Sequence, residues 1–262
     1  EMTSSLVGSE MCIRDRYYPD RILHHAIMNI LEPIWVSVFT KDTYSCIKGR
    51  GIHGAMRNVK RAIKDRENAR YCLKIDIRKF YPSIDHDVLK TIIRRKIKCK
   101  DTLALLDTII DSTDGVPIGN YLSQYFANLM LAYFDHWIKE EKRVRNYFRY
   151  ADDMVFLAST KEELHILLAD IKKYLAALKL TLKGNEQIFP IAENRADKHG
   201  RGLDFVGFVF YHNQTLMRKS IKQNFCRMAA RLNKKLNISA RDYKQKPVSY
   251  THLRAHETRR HL

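Results

Sequence analysis

Two adjacent carboxylates inside an apolar segment constrain this chain more than any other feature. Asp152 and Asp153 lie in the segment RYADDMVFL, where β-rich residues precede them and apolar residues follow. The pattern predicts a hairpin with an entering strand at 146–149, a turn at Ala151-Asp152-Asp153 and a leaving strand at 154–158. Neighbouring like charges repel unless a cation lies between them. An Asp-Asp turn alone is usually a solvated loop, but at the tip of a buried hairpin it favours a divalent-metal site.

A third carboxylate, Asp76, ends an alternating, β-rich segment at residues 71–77. We expect this strand to lie beside the hairpin in one sheet, so that Asp76 approaches Asp152 and Asp153. Two metal ions about 3.5–4 Å apart could then activate a hydroxyl and hold a pyrophosphate leaving group. Carboxylates with water suit Mg²⁺, and Mn²⁺ accepts similar ligands. The three aspartates are therefore the candidate catalytic residues and metal ligands.

The order of the predicted elements indicates an α+β fold. Apolar residues at helical spacing and short β-rich segments define the remaining elements. Helices are predicted at 17–39 with a break at Pro33, after residue 51 to about 62, at 86–98, 101–111, 121–140 and 161–178, and from Ile221 onwards. Further short strands are predicted at 180–191 and 203–211. We expect the helices to pack on one face of an antiparallel sheet.

The net charge of the chain is +18, from 47 Lys and Arg against 29 Asp and Glu. Because 45% of the residues are apolar, the chain can bury a core, which excludes a disordered tail, a fibre and a disulfide mini-protein. The positive charge points to a polyanionic partner, nucleic acid first and an anionic membrane second. No run approaches about 18 uncharged apolar residues, so we expect no membrane span. The scattered cysteines predict reduced thiols and a cytoplasmic location.

The two ends of the sequence are complementary to each other at the level of codons. Residue n and residue 263 minus n can be encoded by reverse-complementary codons for all sixteen pairs between 1–16 and 247–262, and the match stops at Tyr17/Lys246. Both end segments also resemble the translated strands of a transposon adapter. We therefore expect them to be non-native, and residues 17–246 to be an internal fragment of a longer protein.

The segments RYADDMVFL and KIDIRKFYPSID resemble the catalytic hairpin and the adjoining palm strand of reverse transcriptases. The resemblance implies a right-hand polymerase with fingers at 17–70, a palm with an antiparallel sheet at 71–215, and the start of a truncated thumb at 216–246. It also implies an RNA-directed DNA polymerase, which extends a DNA or RNA primer with dNTPs on a template RNA and uses two Mg²⁺ ions.

The same resemblance assigns roles to the acidic residues. Asp76 and Asp152 would bridge the two ions, Asp153 would assist, and the backbone carbonyl of Ile77 could ligate one ion. The segments DRILHHAIMNILEPI, YSCIKGRGIHGA, GVPIGNYLSQYFANLMLAYFD, LTLKGNEQIFPI and GLDFVGFVF resemble further family motifs, in the family's order. They imply nucleotide-binding residues at Lys48, Arg50, Tyr81, Ile118, Gly119, Gln124 and Lys183, and a primer grip at Phe205, Gly207 and Phe208.

Some of these residues also have a plainer interpretation. Tyr81 falls where the family places an aromatic side chain that blocks a 2′-hydroxyl, but Phe80 and Tyr81 could both be core aromatics. Lys48 and Arg50 would offset the charge of a triphosphate, yet a solvated basic loop is an equal alternative.

The residues at positions 118 and 124 point to a subtype. Many relatives have Gln at the first position and Pro at the second, whereas this chain has Ile118 and Gln124. Together with HHAIMNILEPI and RGLDFVGFVFY, this variant resembles the reverse transcriptases of prokaryotic or phage diversity-generating retroelements. Those enzymes copy template RNA with frequent errors opposite adenine, and act with a basic accessory variability protein. Ile118 offers only apolar packing where a Gln could hydrogen-bond, which would weaken discrimination between correct and incorrect pairs.

Other readings of the sequence stay open. A reverse transcriptase of group II intron, retron or phage-defence type is the nearest alternative. A non-catalytic nucleic-acid-binding palm module is an alternative of another class, but such a module has no need of three repelling carboxylates. A nucleotidyl cyclase would share the palm-like sheet but not the finger motifs or Tyr81.

Overall fold

The computed structural model describes residues 18–116 and 121–233. The two terminal segments predicted to be non-native lie outside these ranges. The helices are α1 (Tyr18–Val36), α2 (Gly51–Ile63), α3 (Phe80–Ser83), α4 (His86–Arg94), α5 (Lys100–Asp111), α6 (Tyr121–Met130), α7 (Ala132–His136), α8 (Lys161–Ala177) and α9 (Lys219–Asn233). The strands are β1 (Tyr71–Asp76), β2 (Asn146–Tyr150), β3 (Asp153–Ala158), β4 (Gln187–Pro190), β5 (Leu203–Phe205), β6 (Phe208–Phe210) and β7 (Thr215–Met217).

The strands form two antiparallel sheets. The larger sheet has the order β2-β3-β1-β4, and the smaller one has the order β5-β6-β7. Strand β1 is central in the larger sheet, and its register pairs Asp76 with Asp153 and Leu73 with Phe156. The sheet thus joins the two acidic segments directly, as the sequence predicted, because the strand that carries Asp76 is the neighbour of the hairpin strand β3.

Both faces of the larger sheet are covered. Leu73 and Ile75 of β1 pack into a core built largely from helices, including α1, α4, α6 and α8. Cys72, on the opposite face, packs in a second core with Val59 of α2 and Phe210 of the smaller sheet. The expectation that helices cover one face is therefore incomplete. The unbroken burial of Met154–Leu157 in β3 already requires cover on both sides.

Three predicted helix boundaries are wrong, the first being that of the helix predicted at 86–98, which ends at Arg94. Helix α1 continues through Pro33 to Val36, because the buried Leu31 and Trp35 anchor both sides of the proline in the core. The helix predicted over 121–140 is interrupted at Leu131, which leaves helical angles at φ −103° and ψ 0°. A π-helical turn follows α7 at Trp137–Glu141.

The break at Leu131 could not be seen in the sequence. Leu131 is apolar and wholly buried, so the apolar periodicity continues through it unchanged.

In the described ranges, none of the helices has both the length and the apolar character needed to cross a bilayer.

Candidate active site

Strand alternation gathers the acidic residues on one face of the larger sheet. Residues two apart in a strand point to the same side, so Lys74 and Asp76 share the face of Cys72. Asp153 is opposite Asp76 in the register, and Gln187 of β4 is opposite Lys74. This face opens into a cleft of about 490 Å³. The cleft is lined by Lys74, Ile75, Asp76, Asp152, Asp153, Asn185, Gln187, Phe189, Arg201, Gly202 and Asp204.

A two-residue turn presents the acidic pair. Tyr150 pairs with Asp153, which leaves Ala151 and Asp152 as the connection between β2 and β3. Ala151 has a φ of 55°, in the left-handed region. A non-glycine residue pays about 1 kcal/mol or more to adopt that conformation, so the rest of the fold must hold the turn in place.

The site carries more negative charge than it neutralises. Burial, first, and the nearby charge of Asp76 together raise the pKa of Asp152 to about 7. Burial also raises the pKa of Asp153, against the lowering effect of Lys74, whose Nζ lies 3.2 Å from Asp153 Oδ2. The second oxygen of that carboxylate, Oδ1, is buried and has no hydrogen-bond partner among the described residues. Repelling carboxylates and an orphaned oxygen are what a bound cation would satisfy.

The donor set suits ions that share their ligands with a substrate. Among residues 18–116 and 121–233, no three His, Cys, Asp or Glu side chains converge on one metal-sized point. Asp76 and Asp152 interact with each other, and Lys74 holds one oxygen of Asp153. Mg²⁺ usually takes one or two carboxylates and completes its shell with water and substrate phosphates. The residues present fit that mode of binding better than a closed protein cage.

A lysine distant in the sequence contacts Asp76, one of the residues that line the cleft. Lys183 Nζ lies 3.1 Å from Asp76 Oδ2, and its backbone N–H donates to the Asp76 carbonyl at 2.9 Å. The hydrogen bond with Asp76 raises the pKa of Lys183. Ile77 forms an isolated antiparallel bridge with Leu182, and its side chain is buried. Lys183 and the backbone of Ile77 therefore both lie beside Asp76.

Tyr81 lies in α3, at the start of the segment that leads out of β1. Its ring is half-buried, and the neighbouring Phe80 is 2% exposed, so Phe80 is the core aromatic of the pair. The Tyr81 carbonyl accepts a hydrogen bond from Val116 N at 3.0 Å. At Gly115, which has a φ of +63°, a Cβ would lie 2.7 Å from that same carbonyl oxygen. The chain is thus held against α3 immediately before residue 117.

The other residues predicted to bind the nucleotide differ in where they lie. Ile118 and Gly119 lie outside the described residues. Gln124 is half-buried in α6, and Lys48 is exposed. Arg50 turns inward and donates to the carbonyls of Thr40 and, at 3.3 Å, Thr43. In this conformation Arg50 braces its own loop, and the triphosphate contacts expected of Lys48 and Arg50 stay predictions.

The predicted primer grip is a tight hairpin with one buried and one half-buried ring. Phe205 and Phe208 are paired across a turn made by Val206 and Gly207, which have φ values of 45° and 86°. Phe208 is half-buried, whereas Phe205 has no exposed surface. The ring of Phe205 packs in the second core, so of the two rings it is Phe208 that has surface for a primer to meet. Phe208 stays the candidate.

Sequence analysis missed several residues of the cleft. Lys74 donates to the Asp204 carbonyl at 2.6 Å as well as contacting Asp153, so it links the acidic turn to β5. The spacing of Lys74 and Asp76 could have indicated this, since both lie on one face of a strand.

Arg201 is a second residue that the sequence analysis missed. It stacks over Phe189, with its guanidinium carbon 3.7 Å from the ring centroid, and donates to Gln187. No local sequence pattern predicts these contacts, because they join segments that are distant in the sequence.

The fold is shared with a telomerase. Apo telomerase from Candida tropicalis, truncated from its C-terminal domain, matches with a TM-score of 0.58 and 13% identity. The match covers 74% of this chain and 45% of that chain. At this identity the likeness shows the fold alone, an antiparallel sheet with the helices arranged around it.

Matches to known sequences identify the family of this chain. Residues 16–185 match the model of the family described as reverse transcriptase (RNA-dependent DNA polymerase), and the chain belongs to that family. Protein YkfC of Escherichia coli (strain K12) is 24% identical, with 77% of this chain and 62% of YkfC covered. Group II intron-encoded protein LtrA of Lactococcus lactis subsp. cremoris is 26% identical, with 48% of this chain and 22% of LtrA covered. The chain thus spans less than two thirds of the length of these relatives.

Proposed function

We propose that this chain is the polymerase part of an RNA-directed DNA polymerase, which extends a DNA or RNA primer with dNTPs on an RNA template. The observation that carries the proposal is the acidic cleft, in which Asp76, Asp152 and Asp153 meet with a raised pKa at Asp152 and an unpartnered oxygen at Asp153. Membership of the reverse transcriptase family gives this cleft its chemistry. The net charge of +18 suits a nucleic-acid template and primer.

Each residue has a separate task in the proposed reaction. When bound, two Mg²⁺ ions would lower the pKa of the primer 3′-hydroxyl and offset the charge that develops on the leaving pyrophosphate. Asp76 and Asp152 would hold the ions, and Asp153 would add a ligand from the oxygen that Lys74 leaves available. Lys183, beside Asp76, would face the triphosphate, since an ammonium there stabilises negative charge.

Selection and positioning of the substrates are assigned to three residues outside the lining of the cleft. Tyr81 would exclude the 2′-hydroxyl of a ribonucleotide, and Lys48 would contact the incoming triphosphate. Phe208 would pack against the primer strand. In this proposal the fingers comprise 17–70, the palm 71–215, and the thumb begins at 216.

A primer-extension assay with a DNA primer on an RNA template tests the activity. Asp76→Asn keeps the shape of the side chain and removes its charge, and should lower the rate by at least about 100-fold, which corresponds to about 2.7 kcal/mol. The matched control is Asp170→Asn, a change of the same kind at an ion pair on α8 with Lys142, which should extend normally. Normal extension by Asp76→Asn would overturn the proposal.

We further propose that the enzyme is of the diversity-generating type, with mutagenic copying of a template RNA and a basic accessory variability protein as partner. The support is Ile118 with Gln124, in place of the Gln and Pro of many relatives. Ile118→Gln should reduce misincorporation opposite template adenine, because a hydrogen bond sensitive to pair geometry is restored. Ile118→Val serves as the control and should leave the error spectrum unchanged.

A group II intron-type enzyme is the second candidate, favoured by the similarity to LtrA. It predicts few errors at adenine in the wild-type chain and no change on Ile118→Gln. The same assay therefore decides between the two types.

A further inference from the structure

Arg149 and Asp135 form an ion pair in which neither side chain has any exposed surface. Arg149 Nε lies 2.8 Å from Asp135 Oδ1, and Nη2 lies 2.6 Å from Oδ2, so the pair is bidentate. Neither residue lines the cleft. Burying two charges costs solvation that an apolar pair of similar volume would not, so the pair calls for an explanation beyond stability.

The guanidinium of Arg149 also reaches the acidic turn. Its Nη1 donates to the Ala151 carbonyl at 3.2 Å and to Asn128 Oδ1 at 3.1 Å. The Ala151 carbonyl belongs to the peptide that leads into Asp152. Because Ala151 has a left-handed φ, this hydrogen bond acts on the strained link of the turn.

Asp135 is the centre that keeps the guanidinium in place. Besides Arg149, it accepts hydrogen bonds from Tyr147 Oη at 2.6 Å and from Thr43 Oγ1 at 2.8 Å. The network of Thr43, Asn128, Asp135, Tyr147 and Arg149 is thus satisfied within the core. A satisfied buried network fixes one geometry, since any rotation leaves a polar group without a partner.

The same arginine holds the segment that leads into the basic loop, residues 46–51, which carries Lys48 and Arg50. Its backbone N–H donates to the Asp42 carbonyl at 2.9 Å, and its carbonyl accepts from Tyr44 N at 3.0 Å. Asn128 Nδ2 adds a hydrogen bond to the Ser45 carbonyl at 2.9 Å. Residues 42–45 therefore run along β2 and are tied to the residue that contacts the turn. Lys48 follows three residues later.

We propose that Arg149 is a positioning residue, which orients the Ala151 carbonyl and so Asp152, and which couples that orientation to the basic loop through residues 42–45. The inference rests on the proposed function of Asp152. A lysine could keep the charge opposite Asp135, but it lacks the planar fork needed to serve Asp135, Asn128 and the Ala151 carbonyl together.

The test compares Arg149→Lys with the wild-type chain and with Ile110→Val, a core change in α5 that makes none of these contacts. Mn²⁺ binding is measured by electron paramagnetic resonance of the free ion, and single-nucleotide extension gives kcat and KM. We expect Arg149→Lys to weaken Mn²⁺ binding at least about fivefold and to lower kcat at least about tenfold, with KM for dNTP within about threefold. Ile110→Val should match the wild type in all three quantities. Arg149→Lys behaving like Ile110→Val would overturn the inference.

Hydrogen exchange separates this inference from the proposed function, because it needs no metal and no activity. In Arg149→Lys, amides in 42–45 and in 150–153 should exchange at least about tenfold faster together, relative to Ile110→Val. Acceleration at the turn alone would refute the coupling. Thr43→Val, which is nearly isosteric and removes one hydrogen bond to Asp135, should show the same paired acceleration to a smaller degree and serves if Arg149→Lys does not fold. A wild-type chain without extension or Mn²⁺ binding would instead refute the proposed function.

Discussion

Asp152→Asn should make the metal-free protein more stable while it abolishes polymerisation. The pKa of Asp152 is raised from 3.8 to about 7, so the folded state binds the proton more tightly than the unfolded state. Stability contributed by this group is therefore full below about pH 4 and is lost as the pH rises to about 7. An amide carries no charge, so in Asp152→Asn this position does not lower the free energy of unfolding as the pH rises.

The size of the effect follows from the pKa. A rise of about three units at about 1.4 kcal/mol per unit gives an upper limit of about 4 kcal/mol at pH 8. Because Asp76 shares the interaction and the site relaxes, we expect a gain of about 2 kcal/mol at pH 8 and less than about 0.5 kcal/mol at pH 4.

Urea unfolding with a chelator present, at both pH values, measures the gain directly. Asp170→Asn is the control and should show no stabilisation that grows with pH. Adding Mg²⁺ at ten times its dissociation constant should raise wild-type stability by about 1.4 kcal/mol and leave the variant nearly unchanged. Equal stability of wild type and Asp152→Asn at pH 8, or the same gain at both pH values, would refute the reasoning.

Three further predictions concern neighbouring residues. Phe205→Ala should cost about 3–5 kcal/mol in urea unfolding, because the ring is wholly buried, whereas Phe208→Ala should cost clearly less and raise KM for primer–template in extension assays; the reverse order would contradict the assignment. Tyr81→Ala should raise the ratio of ribonucleotide to deoxyribonucleotide incorporation at least about tenfold, and an unchanged ratio would remove its proposed role. Lys74→Met should move the acidic limb of the extension rate against pH to higher pH, since Lys74 lowers the pKa of Asp153; an unmoved limb would show that Asp153 does not need to ionise.

The parts of the site that are local in sequence could be predicted. Period-2 alternation placed Asp76 at the end of a strand, and the apolar exit of the hairpin placed Asp152 and Asp153 at its tip. Their meeting in one sheet required only that two buried strands be neighbours. The family resemblance implied a nucleotide-binding role for Lys183, and no local pattern indicated its contact with Asp76.

The remaining features depend on contacts between distant segments. The burial of Phe205 depends on the second core beneath the hairpin, and the inward turn of Arg50 depends on the Thr40 and Thr43 carbonyls. Pro33 signals a helix end, yet core packing overrides that signal in α1. The burial of Arg149 also depends on a distant residue. A charged residue in a strand is expected at a surface, and the opposing Asp135 makes its burial possible.

Anomalous scattering from crystals of the chain grown with Mn²⁺ and a primer–template tests the central claim most directly. The account predicts peaks between the carboxylates of Asp76 and Asp152, within ligand distance of both, and their loss in Asp76→Asn. Ordered Mn²⁺ bound only elsewhere, with the cleft empty and the primer still extended, would contradict it.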